Sequence, residues 1–92
     1  MGLPRPDPFA YGRDLEAVRD RLAPFVERVA IRGDGLTRFV FAEATGRATE
    51  VYWDEAGVCV AFWERGADAE SHQELHPSYE RAVGAARAWL AS

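Results

Sequence analysis

The stretch His-Gln-Glu-Leu-His, residues 72–76, holds two imidazoles four residues apart, with Glu70 and Glu74 interleaved. On a helix that spacing puts both rings on one face, where they could grip a metal ion. The helical zinc-protease pattern needs a glutamate directly after the first histidine, and Gln73 stands there instead. Pro77 also biases His76 toward extended geometry. His72 and His76 are thus weak metal candidates, better read as exposed residues of a polar loop. No cofactor is implied.

Cys59 lies between Val58 and Val60 in an apolar run. A reactive thiol needs electropositive, partly exposed surroundings, so Cys59 reads as a buried structural residue. Arg32, Gly33 and Asp34 spell an adhesion tripeptide, but their glycine serves a turn. The serines are Ser71, Ser78 and Ser92, and none has a triad context. There is no glycine-rich phosphate loop, paired cysteine cluster or strand-elbow serine. With no catalytic constellation, the chain is expected not to be an enzyme.

Two charged groups remain. Glu64, Asp68, Glu70 and Glu74 form an acidic run, in the first place a solvated face, which can also steer a basic partner. Arg28, Arg32 and Arg38, with stacking from Tyr52 or Phe62, offer a nucleic-acid alternative. The net charge of -4 disfavours it, because phosphate neutralisation supplies most of such affinity. All eleven basic residues are arginine, lysine and asparagine are absent, and Ile31 is the lone isoleucine. That bias reads as a GC-rich bacterial coding sequence, so each arginine is not to be taken as a chosen ligand.

The elements that must position these residues fit one domain of 92 residues. Alternating Pro4, Pro6 and Pro8 predict an extended arm over 1–11, with the domain proper at 12–92. Leu15, Val18 and Leu22 have helical spacing, with Asp14 as the expected N-cap. Pro24 ends this helix near Leu22 or Ala23; the competing reading runs it, kinked, to about Arg28. The period then changes to two, and turn signals at 32–37, 44–47 and 54–57 separate four predicted strands. Residues 66–76 are expected as a polar loop. Pro77 is placed in the first turn of a second helix, with Tyr79, Val83, Ala86 and Leu90 as its stripe and Gly84 marking close packing. The expected fold is α+β: a four-stranded antiparallel meander flanked by N- and C-terminal helices in a two-layer sandwich.

Register decides which side chains face the helices. Three-residue loops ending in Gly35, Gly46 and Gly57 would pair Val29 with Phe39, Phe39 with Val51, and Trp53 with Cys59. Phe39, Phe41 and Trp63 would then point into the core. The opposite face would carry Arg28, Arg32, Arg38, Val40, Tyr52, Val58, Val60 and Phe62, an apolar patch with a basic margin. A one-residue slip at Asp54–Gly57 turns Val58, Val60 and Phe62 inward and Trp63 outward. Either register leaves an aromatic face uncovered by helices.

The element order resembles the double-stranded-RNA-binding fold, and residues 78–91, SYERAVGAARAWLA, are similar to that family's alanine-rich last helix. Pro77, Ser78, Tyr79 and Glu80 stand where the family has a basic cluster, so its RNA contact does not carry over. The function expected is a small, non-enzymatic interaction or regulatory domain. Its sheet face would bind a second copy of the chain or cap another protein. With one cysteine, no apolar run near the roughly 18 residues of a membrane span and no signal-peptide character in residues 1–12, a cytoplasmic setting is expected.

Overall fold

The computed structural model describes residues 4–92. Asp7 starts the first helix: its carboxylate accepts the Phe9 and Ala10 N–H groups at 3.1 and 3.2 Å, and Pro8 fills a first-turn position that needs no donor. Helix α1 therefore spans Pro8–Leu22 rather than starting at Asp14, and residues 8–11 of the expected arm are helical. Residues 1–3 of that arm lie outside the described residues. The apolar stripe begins one turn earlier than the sequence reading placed it, at Tyr11, and continues through Leu15, Val18 and Leu22. Pro24 ends the helix as expected, inside a single 3-10 turn at Ala23–Phe25.

Five strands follow: β1 Arg28–Arg32, β2 Phe39–Ala44, β3 Arg47–Asp54, β4 Gly57–Glu64 and β5 His72–His76. They form one antiparallel sheet in sequence order. Helix α2, Tyr79–Ala91, closes the chain. The α+β class holds, and the strand count is corrected from four to five. The histidine stretch is β5, not a loop, because the outer edge of β4 leaves backbone donors and acceptors that a neighbouring strand satisfies. A polar edge strand has no apolar alternation to announce it. Gly57 permits the approach of β5: a Cβ there would lie 2.8 Å from the His76 carbonyl oxygen, at a φ of 151°.

The β2–β3 and β3–β4 turns are each shorter than expected, and this reverses two strands. The β1–β2 connection is longer, with residues 33–38 between the paired Arg32 and Phe39, so Val29 faces Ala42 and not Phe39. Ala44 pairs with Arg47 and Asp54 with Gly57, so only Thr45–Gly46 and Glu55–Ala56 lie between the paired ends. One residue fewer in each loop flips β2 and β4 relative to β3. Val40, Ala42, Val58, Val60 and Phe62 turn toward the helices, and Phe39, Phe41, Cys59, Ala61 and Trp63 turn away. Packing favours this: valines and alanine let both helices approach the sheet, where Phe39, Phe41 and Trp63 would hold them off. The resulting core joins Tyr11, Leu15, Val18 and Leu22 of α1 to Ala82, Val83, Ala86 and Leu90 of α2 across Val40, Val51, Val58 and Val60.

Polar contacts fix the helices at opposite ends of the sheet. The buried Tyr11 hydroxyl donates to the Arg38 carbonyl at 2.6 Å and accepts from the Trp53 N–H at 2.9 Å. Trp89 of α2 donates Nε1–H to the Ala48 and Trp63 carbonyls at 3.0 and 3.3 Å. Ser78 caps α2 by accepting the Arg81 N–H at 3.2 Å, so Pro77 precedes the helix instead of entering its first turn. Among the described residues Gly84 has no neighbour outside its own helix within 4 Å of the position a Cβ would take, so it marks no close packing there. Among the described residues no helix is long and apolar enough to cross a membrane.

Candidate interaction face

The helix-free face follows from the register. One cross-strand row runs Ala30, Phe41, Glu50, Ala61, Gln73. A second holds Arg28, Glu43, Ala48 and Trp63. On the other side Arg32 lies opposite Phe39, and Tyr52 opposite Cys59, which faces Leu75. The small side chains Ala48, Cys59 and Ala61 are buried, while Phe39, Phe41, Tyr52 and Trp63 stand half-buried around them. Leu75 on the edge strand is 55% exposed.

The expected interaction residues divide. Arg28, Arg32 and Tyr52 lie on this face. Val40, Val58, Val60 and Phe62 do not: all four are buried beneath the helices. Phe39, Phe41, Trp63 and Leu75 take their place. Arg38 follows β1's turn rather than joining the face: its Nε–H donates to the Gly35 carbonyl at 2.8 Å and its Nη2–H to the Pro8 carbonyl at 2.6 Å. Arg28 is paired with Glu43, Nε to Oε1 at 3.1 Å, and this hydrogen bond holds the Glu43 carboxyl below its ordinary range. Arg32 lies 4.3 Å over the Phe41 ring. Of the three arginines, Arg28 and Arg32 stay on this face and Arg38 leaves it, and the buried Phe62 presents no ring there for a base to stack on.

A pocket of about 240 Å³ opens on the same face between Phe41 and Trp63. Glu43, Glu50 and Glu64 line it, Ala48 forms part of its floor, and Arg65–Ala67 of the β4–β5 loop make one wall. Glu50 is the distinctive group. It makes no ion pair within 4 Å among the described residues, whereas Glu43 pairs with Arg28 and Glu64 lies 3.8 Å from Arg47. Burial, then the neighbouring Glu70 charge, raise the Glu50 carboxyl above its ordinary value, and the Arg32 charge only partly offsets them.

The chemistry-bearing residues of the sequence are not brought together. On a strand the Cα atoms of His72 and His76 are about 13 Å apart, and the two rings on this side lean toward the glutamate between them instead of toward each other. Glu74 lies between them, 3.5 Å from the His72 ring nitrogen and 3.0 Å from that of His76. Among the described residues no group of three or more His, Cys, Asp or Glu is placed to hold a metal. His72 instead stacks on Phe62, ring centroids 4.5 Å apart. Cys59 is buried, its thiol pushed up by desolvation and 3.7 Å from Gln73 Oε1. The acidic run is split: Glu70 accepts from Gln73 Nε2 at 2.6 Å, and Glu74 serves the histidines on the other side of β5. A second hollow of about 230 Å³, bounded by Pro4–Pro6, is lined by Asp14, Trp53 and Tyr79. Trp53 Nε1 and Tyr79 Oη are buried there, with no hydrogen-bond partner among the described residues.

Comparison of the chain with protein-family models, with curated proteins and with solved structures returns no match.

Proposed function

We propose that this protein is a small, non-enzymatic interaction or regulatory domain that works in the cytoplasm through its helix-free sheet face, by pairing with its own copy or by capping another protein. One observation carries the reading: half-buried aromatics, Phe39, Phe41, Tyr52 and Trp63, surround a floor of buried Ala48, Cys59 and Ala61, with Leu75 exposed beside them. Aromatic rings around a small-residue floor, interrupted by Glu50, make a surface that gains by excluding water, and exposed apolar surface of this kind marks interaction sites.

The test is site-specific photo-crosslinking in source cells, with a benzophenone amino acid in place of Tyr52 or, as control, Phe9. Phe9 is 85% exposed but belongs to α1. A discrete crosslinked protein at Tyr52 and none at Phe9 is expected. Equal crosslinking at both positions, or none at Tyr52, would sink the proposal.

A further inference from the structure

Glu50 sits on β3, the middle strand of five, and in the middle row of the helix-free face, directly opposite Phe41 and Ala61. A carboxylate among aromatic rings loses hydration, and without a paired cation it is left under-compensated. The nearby arginines compensate it only in part. The Arg32 charge reaches Glu50, but its guanidinium lies over Phe41 and off the pocket. Arg65, in the pocket wall, forms no ion pair with Glu50 and acts on Glu43. We infer that Glu50, between Phe41 and Trp63, is the seat for an arginine side chain presented by a different protein. The inference rests on the interaction-face reading and names its partner's chemistry.

Three properties select arginine. Its planar guanidinium can lie against an aromatic ring while donating two parallel hydrogen bonds to a carboxylate. The pocket offers both, with Ala48 and the rings to receive the aliphatic stem. The chain already stacks its own arginines this way, with Arg47 4.0 Å over Trp89 and Arg87 4.0 Å over Phe25. The central position of Glu50 also decides against a second copy. Two sheets packed face to face with a twofold axis through their middle strands, the arrangement that covers the most of this face, would set Glu50 against the partner's own carboxylate. Juxtaposed like charges in an interface are strongly unfavourable, whereas a basic partner relieves the charge already present.

The test uses the labelled full chain and two capped peptides, acetyl-Leu-Arg-Leu-amide and its citrulline counterpart, which keeps the shape and loses the charge. Carbon-detected NMR follows the Glu50 carboxyl, and proton–nitrogen spectra follow the Trp63 indole. The arginine peptide should shift both saturably, and the citrulline peptide should bind about tenfold more weakly or worse. In Glu50→Gln that preference should vanish while the remaining spectrum, which reports the fold, stays in place. No saturable shift at Glu50, equal binding of both peptides, or a preference that survives in Glu50→Gln would overturn the inference. Peptide failure with the Tyr52 crosslink intact removes the arginine seat and leaves the interaction face; a missing crosslink removes the face itself.

Discussion

The Tyr11 hydroxyl joins α1 to β3 and to the residue before β2, through the Trp53 N–H and the Arg38 carbonyl. Tyr11→Phe keeps the ring and leaves both backbone groups unpaired, so it should cost about 1–3 kcal/mol in urea denaturation. An unchanged denaturation midpoint would show that water replaces the hydroxyl. Glu50 works in the opposite direction. Its folded-state carboxyl titrates above the ordinary 4.5, so the native state holds the proton more tightly than the unfolded chain. Ionised Glu50 therefore destabilises the fold at neutral pH, and the penalty fades as pH falls through the raised value toward 4.5. Glu50→Gln should melt higher than the parent protein at pH 7 and no higher below pH 4.5. Glu43, held low by Arg28, contributes with the opposite sign, and it cancels because both proteins carry it. A lower melting temperature for Glu50→Gln at pH 7 would mean that Glu50 has a stabilising partner after all.

Among the elements, the helices were the most legible and the last strand the least. Leu15, Val18 and Leu22, and Val83, Ala86 and Leu90, repeat at helical spacing, and their burial follows that repeat. Pro24 stops α1 for a reason internal to its own ring. The start of α1 was misplaced because Asp7 and Asp14 are both acceptable caps; Pro8 in the first turn and the burial of Tyr11 go with Asp7. Residues 72–76 carry no apolar alternation, so nothing local distinguishes an edge strand from a loop there; the unpaired edge of β4 decides it. Gly84 is the reverse case, a helical glycine whose surroundings explain nothing. With open space around it, Gly84→Ala should stabilise the protein by about 1 kcal/mol. A loss of stability on thermal melting would point to packing that the open space does not show.

At the scale of the whole molecule, a face centred on an under-compensated carboxylate should resist self-association. Light scattering behind size exclusion should give the mass of one chain, 10.2 kDa, at low micromolar concentration. A mass of twice that value would restore the second copy as the occupant of the face. The amino-acid sequence by itself determined the α+β class, the two helical stripes, the stop at Pro24 and the absence of a familiar catalytic motif, because these depend on local spacing and side-chain type. It also determined that one sheet face stays aromatic whichever register is chosen. Tertiary structure decided which aromatics those are. The difference between a two-residue and a three-residue loop inverts an entire strand, and turn preferences alone are too weak to choose. Packing chooses: Val40, Val58 and Val60 fit beneath two helices, so Phe41 and Trp63 are left to flank Glu50 on the other side.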